Sequence, residues 1–147
     1  MHRVRTPCIG VCSTGIGDSV CRGCKRFTHE VIAWNGYSAA EKRSVNARLD
    51  SLLTQLIQPR VEIYDPAMLR KQMNLQHIRH NPDQSPYAWF MDLIKAGASQ
   101  ITRVEDFGCR LLPPFQEGSL LELKRILDEE FLILSSVHYD RYFKRPI

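Results

Sequence analysis

The sequence lacks any long apolar run. No apolar run is longer than five residues, and the strongly apolar stretch Phe131–Leu134 has four, whereas a membrane-spanning helix needs roughly 20. The first residues are basic, and no apolar segment follows them, so we expect no secretory signal. We therefore expect a cytoplasmic protein that has no membrane partner.

Several catalytic signatures are also missing. The sequence contains no glycine-rich phosphate loop, no nucleophile elbow, no paired carboxylates and no His-Glu-x-x-His motif. The net charge of +4 is mild, so it permits an acidic partner without requiring one. The sequence thus gives little support to an enzyme, although side chains gathered by folding leave that question open.

What the chain does have is clustered cysteine. Four of its five cysteines lie within the first 24 residues, spaced C-x3-C-x8-C-x2-C: Cys8, Cys12, Cys21 and Cys24. Two close pairs joined by a short loop can bring four thiolates around one metal centre, and four thiolates suit either zinc or an iron–sulfur cluster. In a reducing compartment this use is favoured over disulfides. We therefore predict that all four are metal ligands.

Hydrophobic periodicity predicts a mainly α fold in two parts. Residues 1–57 are expected to form a small four-cysteine metal-binding module with two helices, the second opened by a capping box at Ser38 and Glu41. Residues 58–147 are expected to form a helical domain of unknown function. Its helices are predicted over 66–78, 86–96 and from Ser119 onward, with one short strand or turn between 100 and 117.

Basic and aromatic residues beside the cysteines suggest a contact surface for nucleic acid or another partner. The candidate residues lie near the second cysteine pair and in the C-terminal tail: Arg22, Lys25, Arg26, Trp34, Arg141, Lys144 and Arg145. A competing interpretation holds that Trp34 and Phe27 pack over the metal loop, and that Tyr142 and Phe143 tuck an amphipathic helix end under the body.

The remaining chemically active residues have simple interpretations. His29 follows Cys24 at zinc-knuckle spacing, but Trp34 stands where the fourth ligand would be, so we expect His29 to face solvent. Cys109 is expected to be a small buried residue rather than a nucleophile. His77 and His80 are expected to act only as cations near a helix end.

The N-terminal motif resembles a known family. The strings Thr6-Pro-Cys-Ile-Gly-Val-Cys12 and Cys21-Arg-Gly-Cys-Lys-Arg26, followed by Glu30 and Trp34, are similar to the YdhL-like bacterial family of small predicted iron–sulfur proteins of unknown function. The resemblance covers about residues 1–57. It implies that the four cysteines are the ligands, and it favours an iron–sulfur cluster. Physical grounds instead favour zinc slightly, so the sequence does not decide between the two.

Three functions compete at this point. The first is a non-enzymatic adaptor, in which a closed four-cysteine metal site stabilises a module joined to a helical domain that binds another protein. The second is an iron–sulfur electron carrier or redox sensor. The third is a nucleic-acid-binding protein, whose binding would weaken steeply with salt.

Overall fold

A computed structural model describes residues 4–9, 12–13 and 17–143. The chain divides into two compact units. Unit 1 comprises Met1–Leu52 together with Glu129–Ile147, and unit 2 comprises Leu53–Asp128. This division follows contacts rather than chain order, and the domains 1–57 and 58–147 stay a prediction.

The expectation of a mainly α fold is confirmed. Within the described residues the helices are α1 (Thr28–Ala33), α2 (Ala39–Ile57), α3 (Pro66–Leu75), α4 (Pro86–Gly97) and α5 (Leu120–Phe143). The same residues also contain two short strands, β1 (Val61–Ile63) and β2 (Cys109–Leu111), together with three short 3-10 helices, Trp34–Gly36, Val104–Phe107 and Phe115–Glu117. None of the helices in the described part of the chain combines the length and apolar character needed to span a membrane.

The predicted capping residues begin the helices. At the start of α2, the Glu41 backbone N–H donates to Ser38 Oγ at 3.1 Å and the Ser38 N–H donates to Glu41 Oε1 at 3.0 Å. Asp65 accepts a bond from the backbone of α3, and Ser85 accepts one from the backbone of α4. Each of these side chains satisfies a backbone N–H group that has no partner inside its helix.

Helix α3 ends earlier than the predicted residue 78. His77 adopts a left-handed conformation with φ 56°. The Ile78 N–H then reaches back to the Met73 carbonyl at 2.8 Å, and the His77 N–H reaches the Asn74 carbonyl at 3.2 Å. This pair of bonds is a Schellman motif, which satisfies the last carbonyls of the helix. The turn at His77 therefore ends α3.

Unit 2 contains the two strands, which pair antiparallel with Val61 opposite Leu111. The sequence predicts one short strand or turn between 100 and 117, where β2 lies, but it does not predict the partner strand at 61–63. The Gly108 carbonyl accepts bonds from the N–H groups of Tyr64 and Asp65. Gly108 has φ 73°, and a Cβ there would overlap the Asp65 carbonyl oxygen. Only glycine fits this close approach of two backbone segments.

Candidate metal centre

A tight turn carries the second cysteine pair in unit 1. The Lys25 N–H donates to the Cys21 carbonyl at 2.8 Å, and the Cys21 N–H donates to the Arg26 carbonyl at 2.9 Å. Val20 and Phe27 form an antiparallel bridge just outside this turn. Lys25 closes it with φ 65°, a left-handed conformation that is uncommon outside glycine. The turn is thus fixed by backbone bonds at both ends.

The Cys21 sulfur lies in a concavity of backbone groups. It accepts hydrogen bonds from the backbone of Cys24, Ser13 and Gly23, and also interacts with the Cys24 thiol. Successive N–H groups in a turn form a site for anions, and sulfur centres in proteins use such sites. Burial raises the pKa of the Cys21 thiol, but these bonds outweigh it and lower the pKa from 9.0 to about 7.

The Cys24 sulfur has a different environment. Arg26 donates a hydrogen bond from Nε to Cys24 Sγ at 3.2 Å. Burial raises the pKa of the Cys24 thiol, and it outweighs the opposing hydrogen bonds and charge of Arg26. Both sulfurs of the second pair are therefore buried and hydrogen-bonded.

Lys25 and Arg26 are buried beside these sulfurs, with exposed fractions of 1% and 3%. Lys25 Nζ donates to the carbonyls of Arg22 and Gly23, and it lies 5.7 Å from the centroid of the Phe131 ring. Burying a cation is costly unless it is paired or hydrogen-bonded. Lys25 is thus held by carbonyl groups of the turn, whereas Arg26 is the cation that contacts a sulfur.

The first cysteine pair is less enclosed. Cys8 is half-buried and Cys12 is exposed. Ser13, the neighbour of Cys12, is nevertheless buried, and its Oγ accepts the Arg22 N–H at 2.8 Å. The same residue also hydrogen-bonds to the Cys21 sulfur through its backbone. The chain directly after Cys12 thus lies against the turn of the second pair.

The donor set of this region fits a thiolate-bound metal at the second pair. Its two sulfurs lie together, one held by backbone bonds and the other by a buried guanidinium. Across residues 4–9, 12–13 and 17–143 there is no cluster of three or more His, Cys, Asp or Glu side chains placed to hold a metal ion. The four-cysteine centre therefore stays a prediction.

An ion pair that sequence reasoning missed supports the turn from α1 and α2. Buried Glu30 accepts the Phe27 N–H at 2.8 Å and pairs with both terminal nitrogens of Arg48, at 2.5 and 2.7 Å. The Arg48 guanidinium also lies 4.0 Å from the centroid of the Phe27 ring. The (i, i+3) relation of Phe27 to Glu30 was visible in the sequence, but the partner 18 residues further on was not.

The candidate contact residues fall into different environments. Arg22 is exposed and pairs with Asp18 at 3.2 Å. Trp34 is buried, as the packing interpretation requires, with the Arg26 guanidinium at 4.9 Å from a ring centroid and Lys42 Nζ at 5.7 Å. Arg141 is exposed at the end of α5. Lys144 and Arg145 lie outside the described residues.

The two aromatic residues near the end of α5, Tyr142 and Phe143, differ in their contacts and in their exposure to water. Phe143 contacts the rings of Phe27 and His29, at centroid distances of 5.5 and 4.8 Å. Tyr142 remains 65% exposed. Phe143 is itself 50% exposed, so the predicted tucking of the helix end is only partial for Phe143 and is wrong for Tyr142.

The structure places His29, Cys109, His77 and His80 in different environments. His29 is exposed on α1. Cys109 is fully buried, and burial raises the pKa of its thiol to about 12, which makes it a poor nucleophile. His77 forms the end of α3, and His80 packs at 5.5 Å edge-on against the Trp89 ring.

Comparison with known proteins gives one similarity. A family model described as a protein of unknown function (DUF1289) matches residues 6–52. The matched segment contains all four N-terminal cysteines together with α1 and most of α2. No curated protein and no solved structure matches the chain.

Proposed function

We propose that the N-terminal cysteines bind a metal centre that stabilises a non-enzymatic interaction module. Cys8, Cys12, Cys21 and Cys24 supply four thiolates, which complete a tetrahedral site and leave no open position for a substrate. A centre of this kind supplies folding free energy and no substrate chemistry. The role of the chain is then to hold the ligands and to present a surface to another protein.

One observation carries this proposal: the Cys21 sulfur receives backbone hydrogen bonds from both sides, from Gly23 and Cys24 within its own turn and from Ser13 across the loop. A buried thiol that serves only as a small apolar residue needs no such array. Ser13 follows Cys12 directly, so the same bond draws the first cysteine pair toward the second. Metal binding often completes a site that is only partly formed by the chain alone.

Metal content tests the proposal directly. Full-length protein prepared without air should contain one zinc ion or one iron–sulfur cluster per chain, and Cys21→Ser should lose it. Cys109→Ser is the matched control, because Cys109 lies in unit 2 and should keep the native metal content. Native protein that binds neither zinc nor iron would contradict the proposal.

An iron–sulfur cluster is the alternative occupant, and the same residues support it. Hydrogen bonds to cluster sulfurs and charge beside the cluster tune its reduction potential, and Arg26 offers both. A brown protein whose visible absorption bleaches with dithionite would establish the electron carrier or redox sensor. Colourless protein with stoichiometric zinc would establish the structural role.

Exposed apolar side chains support the protein-binding part of the proposal. Ile133 and Val137 lie one turn apart on α5 and are 63% and 56% exposed. Contiguous exposed apolar surface is a feature of protein contact sites, and residues four apart on a helix are neighbours on one face. A protein that co-purifies with the native chain should be lost with the double variant Ile133→Glu, Val137→Glu. Retention of every co-purifying protein by that variant would contradict this part.

A further inference from the structure

Three basic residues lie within two positions of the second cysteine pair, and they are not equivalent. The Arg22 side chain is 68% exposed and pairs with the Asp18 carboxylate at 3.2 Å. Arg26 is only 3% exposed, and its Nε donates to Cys24 Sγ at 3.2 Å. The sequence alone assigns both the same role, whereas their surroundings assign them different ones.

The Arg26 guanidinium is held by two groups at once. Its N–H edge contacts the Cys24 sulfur, and its carbon lies 4.9 Å from a ring centroid of buried Trp34. A guanidinium can stack its flat face on an aromatic ring while its N–H groups donate sideways in its own plane. The ring thus restricts the guanidinium, and the guanidinium in turn restricts the sulfur.

We infer that Arg26 is a positioning residue for the metal centre: it orients the Cys24 sulfur and offsets negative charge of the thiolates, while Trp34 holds it in place. This inference rests on the proposed function. Residues that hydrogen-bond to metal ligands orient them and tune the metal, and their loss typically weakens metal binding 10- to 100-fold. A buried cation beside buried thiolates also reduces the free-energy cost of burying each charged group alone.

Arginine suits this position better than lysine. An ammonium group retains the positive charge, but it has no flat face to stack on Trp34 and no planar N–H edge to direct at sulfur. Arg26→Lys therefore keeps the positive charge and removes the planar contacts, which separates the contribution of charge to metal binding from that of orientation. If orientation contributes, the lysine variant should bind metal more weakly than native protein and more strongly than Arg26→Gln.

The experiment is a zinc competition with a coloured chelator, using the full-length chain and three variants. Arg26→Gln should weaken zinc binding by about 10-fold or more, and Arg26→Lys should weaken it less. Arg22→Gln is the matched control. It removes the same charge one residue from a cysteine but touches no sulfur through its side chain, so its affinity should change by less than about 2-fold.

The absorption spectrum of cobalt(II)-substituted protein gives a second measurement, which would not change if Arg26 only packed against its neighbours. The sulfur-to-cobalt charge-transfer bands report the environment of the thiolates. They should shift in Arg26→Gln and in Arg26→Lys, and they should be unchanged in Arg22→Gln. If Arg26 only packs against Trp34, its variants would lose stability while these bands and the zinc affinity stay native.

Each outcome decides the inference. Equal zinc affinities for Arg26→Gln and Arg22→Gln, with native protein binding zinc, would overturn it and leave the proposed function standing. If Arg26→Gln does not fold, Arg26→Lys decides: native affinity and a native cobalt spectrum overturn the inference, and a weaker affinity with shifted bands supports it. Native protein that binds no metal would overturn both.

Discussion

The two compact units bury different kinds of side chain. Within the described residues, the buried polar and charged side chains all belong to unit 1: Ser13, Lys25, Arg26, Glu30, Asn46 and Ser135. The buried side chains of unit 2 are apolar, and Phe90, Leu93 and Ile94 of α4 are completely enclosed. Unit 2 is therefore held by an ordinary hydrophobic core, whereas unit 1 buries two cations in addition to its apolar residues, and one of them, Arg26, contacts a sulfur.

This difference indicates what each unit needs in order to stay folded. Apolar burial stabilises by about 25 cal/mol per Å² and needs no partner. A buried cation destabilises unless an opposite charge or a set of hydrogen bonds compensates it. Carbonyl groups already accept hydrogen bonds from Lys25 Nζ. Arg26 contacts the Cys24 sulfur, so a thiolate bound to a metal would compensate the charge of Arg26. We therefore expect the stability of unit 1, and not that of unit 2, to depend on metal.

The largest expected effect is the loss of order in unit 1 when a ligand is removed. Cys24→Ser should abolish the metal site, because a serine hydroxyl is a poor metal ligand compared with a thiolate. In amide NMR spectra, the chemical shifts of residues 17–52 should then lose their dispersion, while those of α3 and α4 stay native.

Cys109→Ser is the matched control for that experiment. Its hydroxyl can replace the thiol that contacts the Phe107 carbonyl at 3.5 Å, so both units should keep their native spectra. A native N-terminal spectrum in Cys24→Ser would remove the proposed distinction between the units.

The second effect concerns the ion pair that joins α1 to α2. Glu30→Gln leaves the Arg48 guanidinium without its carboxylate partner, and only 24% of that side chain is exposed to water. Breaking a buried pair in this way costs about 3 kcal/mol. Chemical denaturation of metal-loaded protein, followed by a signal from unit 1, should show this loss.

An exposed pair in unit 2 is the comparison for Glu30. Glu62 and Arg110 face each other across the strands at 3.6 Å, and about half of each side chain is exposed. Glu62→Gln should cost at most about 0.5 kcal/mol, because solvent screens the pair. Equal losses for Glu30→Gln and Glu62→Gln would show that burial does not strengthen the first pair.

The third effect belongs to unit 2 and should not depend on metal. Gly108→Ala forces a left-handed backbone on alanine and places its Cβ against the Asp65 carbonyl. A cost of about 2 kcal/mol or more is expected. Gly36→Ala is the control, since a Cβ there meets nothing within 4 Å. Thermal unfolding with and without chelator should show the same loss for Gly108→Ala. A loss that appears only without metal would contradict the independence of unit 2.

Local signals in the sequence were enough to predict most helices. Ser38 with Glu41, Asp65 before Pro66, and Ser85 before Pro86 each satisfy backbone N–H groups within a few residues, so the sequence contains the whole interaction. The end of α3 was missed because a histidine, not a glycine, adopts the left-handed conformation at position 77. Strand β1 was missed because its pairing partner, β2, lies far along the chain, with Val61 opposite Leu111.

The candidate site was only partly predictable for the same reason. Cysteine spacing alone led to Cys21 and Cys24, and the structure places their sulfurs together. Spacing could not separate exposed Arg22 from buried Arg26, because burial depends on residues far along the chain. The role of Ser13 was also invisible, since it acts through its backbone and through a bond to Arg22 nine residues away.

The last effect depends on pH and tests whether the apolar core of unit 2 tolerates a charge. Asp92 is a partly buried carboxyl on α4, between enclosed Met91 and Leu93. Burial raises the pKa of Asp92 from 3.8 to about 6, against the opposing charges of Lys95, His80 and Arg79. Between about pH 4 and pH 6, the folded protein thus keeps a proton on Asp92 that the unfolded chain has already released.

Stability from this group is therefore complete below about pH 4 and is lost as the pH rises toward 6. Asn cannot ionise, so Asp92→Asn should gain up to about 3 kcal/mol over native protein above pH 7 and nothing below pH 4. Denaturation of both proteins across this range measures the difference. Asp83→Asn, at an exposed position, is the control, and its stability should equal that of native protein at both pH 4 and pH 7. A gain for Asp92→Asn that is the same at pH 4 and pH 7 would show that the substitution improves packing and that the carboxylate is not destabilising the core of unit 2.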